Sequence, residues 1–72
     1  MKNRVREKRI EKGLTQKELG RLAGISQTTI SHIEIGNYIP MVDTALKIAA
    51  VLGVAVEELF ILPDLPEKYI PI

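Results

Sequence analysis

The sequence contains no cysteine, no tryptophan and a single histidine, and these absences exclude several classes of protein. Without cysteine there is neither a disulfide framework nor a cysteine-based zinc site. Only three aromatic residues are available, which makes the chain a poor candidate for stacking the bases of single-stranded nucleic acid. No apolar run approaches the ~18 residues of a membrane-spanning helix, and the polar N-terminal segment lacks the apolar stretch of a signal peptide. We therefore expect a soluble, cytoplasmic protein with no membrane partner, metal ion, cofactor or small-molecule ligand.

The length allows one small domain. Of the 72 residues, 46% are apolar, which is enough for a compact aliphatic core. We predict a domain over residues 1–62 and a C-terminal tail over residues 63–72. The end of the chain carries large apolar side chains among three prolines, and a disordered tail would hold fewer of them. The tail is therefore expected to pack on the domain or on a second subunit.

Charge is distributed unevenly along the chain. Residues 1–39 hold eight lysines and arginines against four acids, a net charge of +4. Residues 40–72 hold two basic and five acidic residues, a net charge of −3. A basic half favours an anionic partner, with nucleic acid first among them. The alternative is a solvated first helix that happens to be rich in lysine and arginine.

Glycines and capping residues divide the chain into short helices, and no strand is predicted. Thr15 and Glu18 have the spacing of a capping box, and Ser26 can cap the helix that follows it. Helical spacing predicts the inward faces, which are Leu19, Leu22 and Ala23, then Ile30 and Ile33, then Val42, Ala45, Leu46, Ala49 and Leu52. The fold class is therefore all-α, with five helices that cover residues 2–12, 16–23, 27–35, 42–52 and 55–61.

The second and third helices, joined by Gly24-Ile25-Ser26, have the spacing of a helix-turn-helix. Gly24 supplies a left-handed residue for the turn, and Gly20 is small where the next helix must cross closely. The outward face of the third helix carries only hydrogen-bonding groups, namely Gln27, Thr28, Ser31 and His32. Such a row suits a helix that lies in the major groove of DNA and reads base edges.

Residues 3–62 resemble the lambdoid-phage repressor/Cro family, also called the XRE-type helix-turn-helix family. The resemblance covers most of the chain, and the order and spacing of its segments are specific. The matching segments are Arg9, Gly13-Leu14-Thr15-Gln16, Glu18-Leu19, Leu22-Ala23-Gly24-Ile25-Ser26, Thr29-Ile30-Ser31, Ile33-Glu34, Gly36, Pro40, Ala45-Leu46-Lys47-Ile48-Ala49, Leu52-Gly53-Val54 and Glu57-Glu58-Leu59-Phe60.

The resemblance implies a role for individual side chains. It implies base contacts on the third helix by Gln27, Thr28 and His32, to which Ser31 is added from the outward row. It implies contacts to the DNA backbone by Gln16, Thr15, Asn37 and Tyr38, with Arg4 and Lys17 as electrostatic helpers. Arg9 and Glu34 resemble the internal ion pair of the family. For His32 a metal role is weak, because no second histidine, cysteine or acid stands at ligand spacing.

Two functions remain open on the sequence. The first is a sequence-specific regulator of transcription, most simply a repressor because no residues are left for an effector domain. It would bind a double-stranded DNA operator as a homodimer built from helix 5 and the tail. The second is a protein-interaction or antitoxin-like module with weak or no DNA reading, whose main surface is the apolar stretch 35–42; that stretch is either a partner surface or a core face. An enzyme is not expected, because the chain has no phosphate loop, cofactor fingerprint or nucleophile–base pair.

Overall fold

The computed structural model describes residues 2–61, and this part of the chain contains five α-helices and one two-stranded antiparallel sheet. The elements are β1 (Lys2–Asn3), α1 (Val5–Glu11), α2 (Gln16–Ala23), α3 (Gln27–Glu34), α4 (Val42–Leu52), α5 (Val56–Leu59) and β2 (Phe60–Ile61). The prediction of an all-α, five-helix fold is confirmed. The predictions for the tail, residues 63–72, lie outside the described residues.

The two short strands correct the prediction that the chain has no strand. β1 pairs with β2 in antiparallel register, with Lys2 opposite Ile61 and Asn3 opposite Phe60. As a result α1 begins at Val5 instead of residue 2, and α5 ends at Leu59 instead of residue 61. Residues near the N-terminus favour helix by their intrinsic propensity, but they form a strand here. Helix propensities differ by only a few tenths of a kcal/mol per residue, which a tertiary contact readily exceeds.

The core is aliphatic apart from Phe60, and its residues come from all five helices and from β2. Its largest fully buried side chains are Val5, Leu19, Ile30, Ile33, Ile48, Leu52 and Leu59. Three residues that were predicted to face inward are instead solvent-exposed, with Leu22 51%, Leu46 54% and Val42 77% exposed. On α4 the inward position belongs to Ile48, which with Ala45, Ala49 and Leu52 completes the i, i+3, i+4, i+7 spacing of one helix face.

The turn between α2 and α3 is fixed by local chemistry. Thr15 and Glu18 form a complete capping box, and the Ser26 hydroxyl accepts the backbone N–H of Thr29 at 3.1 Å. Gly24 adopts a left-handed conformation with φ of 71°, which glycine reaches without strain. A Cβ atom on Gly20 would collide with the backbone carbonyl oxygen of Ile25, so the close approach there involves the turn itself. The helix-turn-helix geometry therefore follows from residues 15–29.

Candidate nucleic-acid interface

The outer face of α3 presents the side chains that were predicted to contact bases. Gln27, Thr28 and His32 are exposed, whereas Ser31 is half-buried. The buried residues Ile30 and Ile33 lie on the opposite side of the helix and anchor it to the core. Residues three and four apart share a helix face, so Thr28, Ser31 and His32 form one polar strip, with Gln27 at its N-terminal end. The solvent-facing side of α3 is therefore a strip of hydrogen-bonding groups, and the opposite side of the helix is packed in the core.

The predicted contacts to the DNA backbone lie at the ends of the helices and in the loop after α3. Thr15 is exposed at the N-cap of α2, Lys17 is exposed in its first turn, and Asn37 and Tyr38 are exposed in the loop that follows α3. Arg4 is exposed before α1, and its backbone N–H donates to the carbonyl oxygen of Leu59 at 2.7 Å. Arg4 therefore lies beside the end of α5.

An ion pair links α1 to the last turn of α3. Nε of Arg9 lies 2.7 Å from Oε2 of Glu34, and Nη2 of Arg9 lies 3.2 Å from Oε1 of the same carboxylate. The Arg9 side chain is 12% exposed and that of Glu34 is 3% exposed. Nη1 of Arg9 donates to the backbone carbonyl of Leu14 at 2.8 Å, which ties in the α1–α2 loop. The pair is thus a nearly buried, charge-assisted junction between α1 and the last turn of α3.

Gln16 belongs to the same junction, which the sequence reasoning did not anticipate. Its Nε2 donates to Oε1 of Glu34 at 3.1 Å, and the residue is half-buried. The primary amide has a second N–H and a carbonyl oxygen, so it can hydrogen-bond outward while it stays anchored inward. Through Gln16 the start of α2 and the end of α3 are joined by side chains as well as by the turn.

Asn3 is a second positioning residue that the sequence reasoning missed. Its Nδ2 donates to the backbone carbonyl of Ile33 at 2.7 Å, and its Oδ1 accepts the backbone N–H of Val5 at 3.1 Å. One side chain therefore connects β1, the start of α1 and the last turn of α3. The signal in the sequence is an asparagine two residues before a helix, a position where asparagine often accepts a backbone N–H.

The capping box at the start of α2 shifts the titration of Glu18. The backbone N–H of Thr15 donates to the carboxylate at 3.0 Å, and this hydrogen bond lowers the pKa of Glu18 below its ordinary value of 4.5. Contributions from the Thr15 hydroxyl and from the charge of Arg21 act in the same direction. The carboxylate is therefore charged at neutral pH, where it favours the N-terminal end of α2.

A separate apolar surface begins where α3 ends. The large side chains of this 35–42 surface are all exposed, namely Ile35 (65%), Tyr38 (43%), Ile39 (69%), Met41 (70%) and Val42 (77%). None of these side chains belongs to the core that the described residues 2–61 form, so within this part of the chain they make an open surface. Exposed apolar patches of this kind are typical of interaction surfaces.

Among residues 2–61, no helix combines the length and the apolar character that a membrane span requires. The same residues contain no group of three or more histidine, aspartate or glutamate side chains arranged to hold a metal ion.

Comparison with known proteins gives a consistent result. A family model described as helix-turn-helix matches residues 5–59. An uncharacterised helix-turn-helix transcriptional regulator of Archaeoglobus fulgidus is 42% identical over 64 residues, which cover 89% of this chain and 91% of that protein. The restriction-modification controller protein C.AhdI of Aeromonas hydrophila is 35% identical, with a TM-score of 0.75 over 79% of this chain and 86% of that one. The biofilm regulator SinR, solved in complex with DNA, is 34% identical, with a TM-score of 0.71 over 75% of this chain and 87% of that one.

Proposed function

The chain belongs to the helix-turn-helix family of the XRE type, and from this premise we propose that it is a sequence-specific regulator that reads its operator with α3. The family consists of DNA-binding transcriptional regulators and not of enzymes, and this chain is a DNA-binding regulator of transcription. The observation that carries the finer proposal is the polar, exposed strip on α3, which is held from behind by buried isoleucines.

Base reading is assigned to the strip because three of its four side chains are exposed on α3. Gln27 lies in the first turn of α3, and His32 lies more than one turn further along the same helix. In helix-turn-helix proteins the N-terminal residues of the second helix contact base edges while the first helix crosses the backbone. Gln27, Thr28 and His32 are therefore the proposed base readers, with Ser31 a shorter and less accessible member of the strip.

Contacts to phosphates are assigned to the residues around the strip. Lys17 and Arg4 supply positive charge, and Thr15, Asn37 and Tyr38 supply exposed hydrogen-bonding groups. Gln16 donates one amide N–H to Glu34, and its second N–H can donate to a phosphate oxygen. The net charge of +4 on residues 1–39 favours the approach of this half of the molecule to DNA.

We further propose a homodimer that acts as a repressor in the cytoplasm. One α3 covers few base pairs, and a two-fold dimer doubles the length of the operator that is read. The proposed seam consists of α5 and residues 63–72, of which the latter lie outside the described part of the chain. Repression is the simplest outcome of such binding, since occupancy of the operator alone is enough to block transcription. A cytoplasmic location is proposed because the similar regulators come from bacteria and archaea, whose DNA lies in the cytoplasm.

Selection of bound sequences from a random duplex pool, followed by affinity measurements on single-base variants, tests this proposal. The selected site should be a near-palindrome whose half-site centres are ~10 base pairs apart. Gln27→Ala or His32→Ala should cost ~1–3 kcal/mol on the best site and relax the preference at particular base pairs. Lys17→Ala should instead weaken all duplexes alike and lower the salt slope by about one charge.

Lys47→Ala is the matched control, because Lys47 is also exposed but lies on α4 and belongs to neither proposed set. Loss of its charge should affect binding less than loss of Lys17. If Gln27→Ala and His32→Ala both leave the base preference unchanged while the proteins stay folded, α3 does not read the operator. The interaction-module hypothesis would then take precedence.

A further inference from the structure

An apolar groove lies between α4 and α5, on the side of the molecule where the described chain ends. Its volume is about 310 Å³, and its lining is aliphatic and aromatic, with Ile39, Val42, Leu46, Val56 and Phe60 as the main contributors. Ile39, Val42 and Leu46 are 69%, 77% and 54% exposed. The groove therefore continues the 35–42 surface and leaves large apolar side chains open to solvent. A protein of this size rarely leaves such a feature uncovered.

The chain itself supplies a segment whose chemistry matches the groove. Residues 62–72 contain five large apolar side chains, namely Leu62, Leu65, Tyr69, Ile70 and Ile72. The prolines at 63, 66 and 71 remove backbone donors and disfavour helix, so these side chains cannot bury one another within a regular helix of their own. Apolar side chains on such a proline-containing sequence match the apolar lining of the groove.

The position of the last described strand brings this segment to the groove. Phe60 is both a residue of β2 and part of the groove wall, and Ile61 is paired with Lys2 at the end of the sheet. The tail therefore begins two positions after a residue of the groove wall. A segment tethered this closely has a high effective concentration at the site, which favours docking within the same chain over docking on a second copy.

We propose that residues 62–72 fold back into the groove between α4 and α5 of their own chain and cover the 35–42 surface next to it. The tail then completes the hydrophobic core of the domain on its open side. Its outer side remains available at the seam with a second subunit. The proposal does not depend on DNA binding, so it stands or fails separately from the reading of the operator.

Fluorescence of the full chain tests the docking, because the protein contains no native tryptophan. Tyr69→Trp introduces a single reporter in the tail, and its emission should be blue-shifted relative to that of a free tryptophan peptide. Adding Leu46→Asp or Val42→Asp should return the emission to the solvent value. Both sites are more than half exposed, so each variant should keep its fold, which circular dichroism checks. Ile10→Asp on α1 is the matched control, because Ile10 is 56% exposed and is not part of the groove lining.

Disulfide formation shows whether the tail docks on its own chain or on a second copy, and no native cysteine interferes. In the full chain, the pair Val42→Cys and Ile70→Cys should oxidise at least ~10-fold faster than the pair Ile10→Cys and Ile70→Cys, a factor that corresponds to ~1.4 kcal/mol of docking free energy. The product should be a monomer on a non-reducing gel. Equal oxidation rates for the two pairs, or solvent-like emission from Tyr69→Trp, would overturn docking. Cross-links found only between chains would overturn docking within one chain.

Discussion

Removal of the Glu34 carboxylate should be among the most damaging single changes in this protein. Glu34→Ala leaves the Arg9 guanidinium, whose side chain is only 12% exposed, without its two carboxylate contacts, and it leaves Gln16 without its acceptor. Breaking a buried pair from one side costs ~3–5 kcal/mol, mostly because the remaining charge is uncompensated. At ~0.05–0.15 kcal/mol per residue a domain of this size has a free energy of unfolding of about 4–11 kcal/mol. The variant should therefore lose a large part of its stability.

Urea denaturation of four proteins measures this effect, namely the wild type, Glu34→Ala, Arg9→Ala and the double variant. The double variant carries no orphaned charge, so the two single losses should fail to add, with a coupling energy of ~0.5–3 kcal/mol. Thermal unfolding should show the Tm of Glu34→Ala lower by ~12 °C or more. The matched control is Glu11→Ala, which breaks the more exposed Lys8–Glu11 pair at 3.4 Å and should cost under ~1 kcal/mol. Zero coupling, or a Glu34→Ala cost no larger than that of Glu11→Ala, would refute the reasoning.

Two further predictions concern the ends of α1 and α2. Asn3→Ala should cost ~1–3 kcal/mol in urea denaturation, because it leaves the backbone N–H of the buried Val5 without its acceptor. It also removes the donor to the Ile33 carbonyl, which still accepts the backbone N–H of Gly36. An unchanged midpoint would argue against the Asn3 contacts. For Glu18, whose pKa is lowered on folding, the stabilising contribution is fully present above pH ~4.5 and is lost as the pH falls through the folded-state pKa. Glu18→Gln should remove that component from a pH series of melting temperatures, while Glu57→Gln, at an exposed glutamate outside the capping box, should leave it in place.

The helix-turn-helix and the outer face of α3 could be predicted from residues that are close together in the chain. The capping box, the Ser26 cap and the left-handed Gly24 define α2, the turn and α3 within fifteen residues, so the motif could be recognised without any knowledge of distant contacts. The opposite faces of α3 follow from the same spacing, which separates Ile30 and Ile33 from Thr28 and His32. Local chemistry of this kind is fully encoded over one or two helical turns.

Tertiary structure decided what depends on residues far apart in the chain. The pairing of Lys2 with Ile61 joins two segments of only two residues each that lie far apart in the chain. Its hydrogen bonds form only once the helices have packed, so no local pattern predicts it. Whether Leu46 or Ile48 faces inward on α4 depends on the direction from which the other helices approach, since both residues are apolar and only two positions apart. The sequence by itself thus determined the helix-turn-helix and its polar face. Packing determined the sheet, the junction of Gln16 with Arg9 and Glu34, and the groove, because each of these requires side chains that meet only in the folded protein.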